Sequence, residues 1–270
     1  MTRLGVDFSQ FGGPLAQETV RCWKEQGIEF AIPQYSSMLP QHLEALKQGS
    51  LDTEVYVYLY FPLSPWSQTP ESRVSNCINM LHGFNVKRIW LDVEESNASP
   101  ANTVAAVQRC VEVVQAAGLS PGIYTGRWIW PSATESSQAF AHLPLWHAEY
   151  TAPDGADESH PEDAPDFDNF IPYGGWTRPL IWQFQNTHPL CGHSVDLNAM
   201  EGSDMSQEQL NELGEQRARA YLIDALLRDF KVVPVAETAD KLTVELQPLD
   251  GQAVMARFTI WKRPEVVRGE

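Results

Sequence analysis

The 270-residue chain carries 19 Lys and Arg against 35 Asp and Glu, a formal net charge of −16. That excess of acid argues against nucleic-acid binding, which needs clustered cations to neutralise phosphates. At 43% hydrophobic residues and with no long uncharged apolar run, the composition is that of a globular protein with ample core, and neither a transmembrane helix nor a membrane partner is expected. The opening "MTRLGVDFSQFGG" holds no apolar stretch long enough for a secretory signal.

"LGVDF" (4–8) reads as a strand, followed by a helical stretch from Pro14 to Gln26 that stops at Gly27. "FAIPQ" (30–34) is a second strand, and "LPQHLEALKQG" a helix ended by Gly49. "EVYVYLYF" (54–61), rich in β-branched and aromatic residues, is a third strand. A helix over 70–82 closes at Gly83, and "VKRIWLDVE" (86–94) is the fourth strand. "SPANTVAAVQRCVEVVQAAG" has a Ser cap, Pro at the first helical position and Gly at its end. "PGIYTG", "PLWHAEY" and "PLIWQFQ" then supply strands five to seven, and "HSVDLN" the eighth.

Eight strands with helices between the early ones point to an α/β fold, a TIM-like, closed parallel β/α barrel whose last strands lose the regular alternation. The connection from Thr151 to Arg178 is rich in Pro, Gly and acid, with Asp154, Asp157, Glu158, Glu162, Asp163, Asp166 and Asp168. It reads as a solvated acidic loop. A calcium site is the alternative there, though no EF-hand spacing supports one.

After Glu201 the character changes. Ser206 and Gln209 form a capping box at the head of an amphipathic helix, and "KVVPVAETADKLTVELQPLDGQAVMARFTIWKRP" alternates like two or three antiparallel strands. The chain therefore divides into a barrel over 1–205 and a small C-terminal α+β appendage over 206–270. Too short to be comfortably stable alone, the appendage is expected to pack on the barrel or to contact a protein partner.

The four cysteines, Cys22, Cys77, Cys110 and Cys191, are scattered without a CxxC pair, so buried free thiols are expected. "HPLCGHSVD" brings His188, Cys191 and His193 close together, but the spacing matches no common zinc pattern, and no metal or other cofactor is expected.

Asp92 and Glu94 lie two apart at the end of the fourth strand, so they share a face at the end of a barrel where catalytic groups collect. Asp7 ends the first strand and Asp196 the eighth, and in a closed barrel those strands are neighbours. Four carboxyls would then converge on one mouth, where repulsion and burial leave one protonated beside ionised partners. Glycosidic bond cleavage needs that division: one carboxyl protonates the leaving oxygen while others steady an oxocarbenium-like centre. The alternative for any one acid is capping a loop. Sugar faces stack on rings, which makes Tyr58, Tyr60, Tyr124, Trp146, Tyr150 and Trp182 candidates for substrate binding, with core packing the alternative for each. Gln183 could serve the rim with its amide unless strand alternation turns it outward, and His147 is expected to pack or hydrogen-bond.

In order, "GVDFSQ", "WLDVEE", "GIYTGRW", "PLWHAEY" and "IWQFQ…CGHSVDLN" resemble the motifs of glycoside hydrolase family 25, the Chalaropsis-type lysozymes. The resemblance spans about residues 3 to 200 and stops before the appendage. It implies a β/α barrel whose last three strands lack regular helices. It also implies a muramidase that cleaves peptidoglycan between N-acetylmuramic acid and N-acetylglucosamine. On this resemblance Glu94 is the general acid/base and Asp92 its partner, which orients the substrate's acetamido group or stabilises charge. Asp7 and Asp196 match the family's first-strand and last-strand acids, and Tyr124 and Trp182 sit in the best-matching motifs.

The chain departs from the family pattern at "SQFGG", "QYSS" and "YLYFP", all on the substrate-facing rim. A glycan-binding barrel without catalysis, and a hydrolase of another amino-sugar polymer, are therefore the competing readings. The implied place of action is outside the producing cytoplasm, with a phage lysin, a virion-borne enzyme and a delivered effector as the routes.

Overall fold

The computed structural model describes residues 2–61, 68–94, 98–150 and 165–201, together with the backbone of three strands between 230 and 261. Most of the acidic connection and the helix expected after Ser206 lie outside the described residues. The chain divides into two compact units, Met1–Ser206 and Gln207–Glu270.

In the first unit, strands β1 (Thr2–Phe8), β2 (Ile28–Pro33), β3 (Asp52–Thr53), β4 (Val55–Tyr58), β5 (Arg88–Asp92), β6 (Ser120–Gly126), β7 (Leu145–Ala148), β8 (Ile181–Leu190) and β9 (His193–Glu201) form one sheet. Helices α1 (Gln17–Glu25), α2 (Leu39–Gly49), α3 (Pro70–Met80), α4 (Pro100–Ala116) and α5 (Trp130–Thr134) lie between them in sequence. The strand order is β3-β2-β1-β9-β8-β7-β6-β5-β4. β4 returns beside β2, where Tyr35 N donates to Tyr56 O at 2.7 Å and Glu54 N to Ala31 O at 3.2 Å. The sheet is thus a nearly closed barrel.

Two details depart from an eight-stranded, all-parallel barrel. The third expected strand, 54–61, is shortened to β4, and a separate two-residue strand, β3, precedes Glu54, whose carboxylate accepts from Arg88 Nη1 at 2.9 Å and Trp90 Nε1 at 2.6 Å. The last strand, β9, runs antiparallel to both β8 and β1. Only Cys191 and Gly192 join β8 to β9, with φ of 52° and 81°, the positive values of a tight hairpin turn. A parallel return would need a crossover of a dozen residues or more.

Helix limits follow local chemistry. Thr69 and Ser99 cap α3 and α4 by accepting from the backbone N–H of Ser72 and Asn102, each with Pro at the next position. The apolar stripes of these helices cover the outer face of the sheet: Val20 and Trp23 of α1, Leu39, Leu43 and Leu46 of α2, and Val107, Val111 and Val114 of α4. Each such fully buried side chain contributes on the order of 2 kcal/mol.

The barrel interior is a separate cluster of Phe30, Ile32, Tyr56, Trp90, Tyr124, Trp146 and Ile181. Its rings fit because two strands offer glycine: a Cβ on Gly5 would lie 2.3 Å from the Phe30 ring, and one on Gly122 2.4 Å from Trp90. The lower barrel is therefore filled by side chains, and open chemistry is confined to one end.

Cys22 of α1 and Cys191 of the β8–β9 turn form a disulfide with a sequence separation of 169. The expectation of four free thiols fails for this pair, because the hairpin turn lays Cys191 over α1, where Trp23 Nε1 also donates to Leu190 O at 3.3 Å. Cys77 and Cys110 are buried free thiols, each pushed up to about 12 chiefly by burial.

The second unit contains β10 (Phe230–Glu237), β11 (Lys241–Pro248) and β12 (Ala256–Trp261), an antiparallel meander in that order. Among the described residues, no helix is long and apolar enough to cross a membrane.

Candidate active site

Alternation along each strand decides what reaches the mouth. On β5, Leu91 and Val93 turn to the helices, so Trp90, Asp92 and Glu94 turn inward. Asp92 pairs in register with Tyr58 of β4 and Tyr124 of β6. Asp7 of β1 sits directly opposite Asp196 of β9. Because β9 is antiparallel, Asp196 comes near the start of its strand and still faces the same mouth.

The acids are joined through one amide. Gln183 of β8, 1% exposed, donates Nε2 to Asp7 Oδ2 at 2.8 Å and to Asp196 Oδ2 at 3.2 Å. Its nitrogen is committed, so its carbonyl oxygen must face the Tyr124 hydroxyl, which donates to it at 2.9 Å. The same hydroxyl lies 3.2 Å from Glu94 Oε1. Asn198 donates Nδ2 to Asp7 Oδ2 at 2.7 Å and is itself held by Trp146 Nε1, 2.7 Å from its Oδ1. Thr187 N donates to Asp196 Oδ1 at 2.7 Å.

Burial and crowding act together on these groups. Burial holds the Asp7 carboxyl well above the usual aspartate range, and the Asp196 charge adds to this, while bonds from Asn198 and Gln183 pull the other way. Asp92 is also well above that range, through burial first and then the charges of Glu94 and Asp7. Asp196 is raised by burial and eased by the Thr187 N–H. Among the described residues, Asp92 Oδ1 is buried without a hydrogen-bond partner. Burial thus works against the charged form of all three aspartates.

The aromatic candidates divide. Tyr58 and Tyr60 lie at the top of β4, rings 4.8 Å apart, with Tyr60 half exposed. Tyr150 is also half exposed, and its hydroxyl is pushed up to about 12 by burial and then by Asp196, Asp7 and Glu94. Trp146 is enclosed, with ring centroids 4.5 Å from Tyr124 and 5.7 Å from Trp90, so it builds the floor and has no face for a sugar. Trp182 is a correction: it turns outward, donates Nε1 to Glu149 O at 2.8 Å and packs on His147 and Phe167. It and Gln183 are sequence neighbours on opposite faces, and the amide takes the inward one. His147 packs in that same outer layer and bonds Tyr173 and Glu149.

Sequence reasoning missed Asn198, and also Tyr56, whose hydroxyl is pushed up by burial and then by the charges of Asp7, Asp92, Asp196 and Glu94. The signal was parity: Asn198 is two residues from Asp196, and Tyr56 two from Tyr58. The cluster of His188, Cys191 and His193 offers no thiolate, since Cys191 is in the disulfide.

A family model, that of lysozyme-like protein 1, matches residues 2–184. The chain belongs to the lysozyme-like family, within glycoside hydrolase family 25. Probable GH family 25 lysozyme 3 of Dictyostelium discoideum is 27% identical to this lysozyme-like chain over 213 residues, which is 75% of the chain but only 42% of that relative. The bacterial lysozyme from Streptomyces coelicolor superposes with a TM-score of 0.58 at 16% identity, covering 79% of this chain and 97% of its own. The modular Cpl-1 endolysin complexed with a peptidoglycan analogue gives 0.54 at 18% identity, covering 93% and 63%. At such identities these two structures show a shared fold.

Proposed function

We propose that this lysozyme-like protein hydrolyses peptidoglycan between N-acetylmuramic acid and N-acetylglucosamine, with Glu94 as general acid/base. The observation that carries the reading is the convergence of four carboxyls on one mouth: Asp7, Asp196 and Glu94 joined through Gln183 and Tyr124, and Asp92 close enough to feel the charges of Glu94 and Asp7. The Cpl-1 endolysin, of the same fold, was captured with a peptidoglycan analogue, which supports a wall glycan as substrate.

The hydrogen bonds suggest how the roles divide. A phenol has one proton, and Tyr124 gives its proton to Gln183. Its oxygen lone pair then faces Glu94 Oε1, a pairing that suits a protonated carboxyl ready to donate to a leaving oxygen. Asp92 Oδ1, a buried acceptor without a donor, is placed to take the N–H of an acetamido group and to hold it against the reacting carbon. Asp7 and Asp196 supply negative charge behind an oxocarbenium-like centre. The Cys22–Cys191 disulfide agrees with work in an oxidising compartment, outside the producing cytoplasm.

The test is digestion of purified peptidoglycan by wild type and Glu94→Gln, with product ends read by mass spectrometry. Reducing muramic acid ends from wild type alone are expected. No cleavage by either protein, with glycan binding intact, would replace the hydrolase reading with a binding barrel.

A further inference from the structure

The geometry points to Arg73 as a recognition residue for a carboxylate carried by the glycan substrate, an inference that rests on the glycan reading of this mouth. Among the described residues, Arg3, Arg88, Arg109, Arg127 and Arg178 each face a carboxylate. Arg73 does not, and unlike Arg21, which has no ion pair either but is exposed, it is half-buried in a chain of net charge −16. Its contacts are of another kind. Nε donates to Tyr58 O at 3.0 Å, and the guanidinium lies 4.8 Å over the Tyr60 ring and 5.3 Å from that of Tyr35.

These contacts place it on the rim. Tyr58 is the register partner of Asp92, and Tyr35 follows β2, its N–H donating to Tyr56 O. Three elements, the ends of β2 and β4 and the start of α3, therefore fix one guanidinium beside the acidic mouth. With Nε committed to Tyr58, the two terminal nitrogens keep a fork of N–H donors, which matches the two oxygens of a carboxylate. Stacking on tyrosine orients the plane and strips water from its faces, which strengthens any anion contact made at the edge. Four carboxyls nearby disfavour a dianion far more than a monoanion, so the fitting ligand is a carboxylate rather than a phosphate. A muramyl glycan offers two such groups: the lactyl carboxyl where peptide is absent, and the peptide's own carboxyls where it is present.

The test is calorimetric binding of three soluble glycan fragments to the full chain. One is peptide-free with open lactyl carboxylates, one is the same with those carboxyls reduced to alcohols, and one bears peptides. Wild type is expected to bind one carboxylated fragment about tenfold more tightly than the reduced one. Which of the two shows the preference identifies the source of the carboxylate. Arg73→Met, which keeps an apolar stem over the tyrosines, and Arg73→Gln are expected to bring that ratio near one. Arg73→Lys, a point charge without the fork, should restore part of it.

A wild type without preference, or an Arg73→Met with the preference intact, overturns the proposal. An equal loss on charged and reduced fragments also overturns it, leaving Arg73 a structural clamp for Tyr60. Every titration is made in the Glu94→Gln background, so binding is read without turnover, and failure of hydrolysis and failure of carboxylate recognition give separate results.

Discussion

Asp92 and Glu94 on β5 share the mouth with Asp7 and Asp196 on β1 and β9, and the two pairs keep different company. Asp7 and Asp196 are braced by donors: Gln183 reaches both, Asn198 the first, and the Thr187 N–H the second. Asp92 has a buried oxygen that no described residue meets, and Glu94 Oε1 shares the Tyr124 hydroxyl with Gln183. Burial raises the carboxyl in each of the three aspartates. The difference lies in what the protein supplies to offset it. A carboxylate met by several donors is an electrostatic fixture, whereas the Asp92 oxygen is left to a group that enters the mouth.

The sharpest break in that comparison comes from Glu94→Gln. Loss of about a thousandfold in turnover is expected, with near-UV circular dichroism unchanged, because only the transferable proton is removed. A rate near that of wild type would end the assignment.

Asp92→Asn is expected to lower turnover about a hundredfold, read as kcat on the same wall substrate. Its effect on stability has the opposite sign. A folded value raised above the ordinary 3.8 means that the native state binds the proton more tightly than the unfolded chain. Stability from this group is therefore full below that value and is lost as pH rises through the raised one. Melting temperatures recorded from about pH 4 upward should fall with pH in wild type, and fall less steeply in Asp92→Asn.

Gln183→Leu tests the braced pair. It removes a donor from Asp7 and Asp196, so protonation of Asp7 moves to still higher pH, and the acid limb of the pH–rate profile should shift toward neutrality. A stability loss of about 2 kcal/mol by denaturant titration accompanies it. A profile that keeps its acid limb would detach the brace from catalysis. The smallest effect belongs to Trp182→Phe, which removes the bond to Glu149 O on the outer face: about 1 kcal/mol of stability, and turnover within about twofold of wild type.

These positions also show how far the sequence could be read. Parity put Asp92 and Glu94 on one face, and the barrel argument brought Asp7 and Asp196 to one end. Parity says which residues share a face, but not which face is inside. In "IWQFQ" both faces of the strand are buried, one against the barrel interior and one against the outer layer, so no polar–apolar contrast tells Trp182 from Gln183. The antiparallel last strand was legible in principle, because the short stretch 186–192 between "PLIWQFQ" and "HSVDLN" cannot carry a parallel return. The disulfide was not. Its cysteines are far apart in the chain, and only the folded hairpin lays one over α1.

The seam between β1 and β9 has a consequence for a chain emerging from the ribosome. Thr2 pairs with Glu201, so the first strand made waits for nearly the last of the barrel before one of its two edges is satisfied. Asp92 and Glu94 exist well before that moment, but Asp7, Asn198 and Asp196 meet only after it. A nascent chain therefore carries an open β-edge until residues 193–201 have been made, the condition under which strands mispair, and the barrel gains its complete set of acids in the closing step. Site assembly and barrel closure are one event.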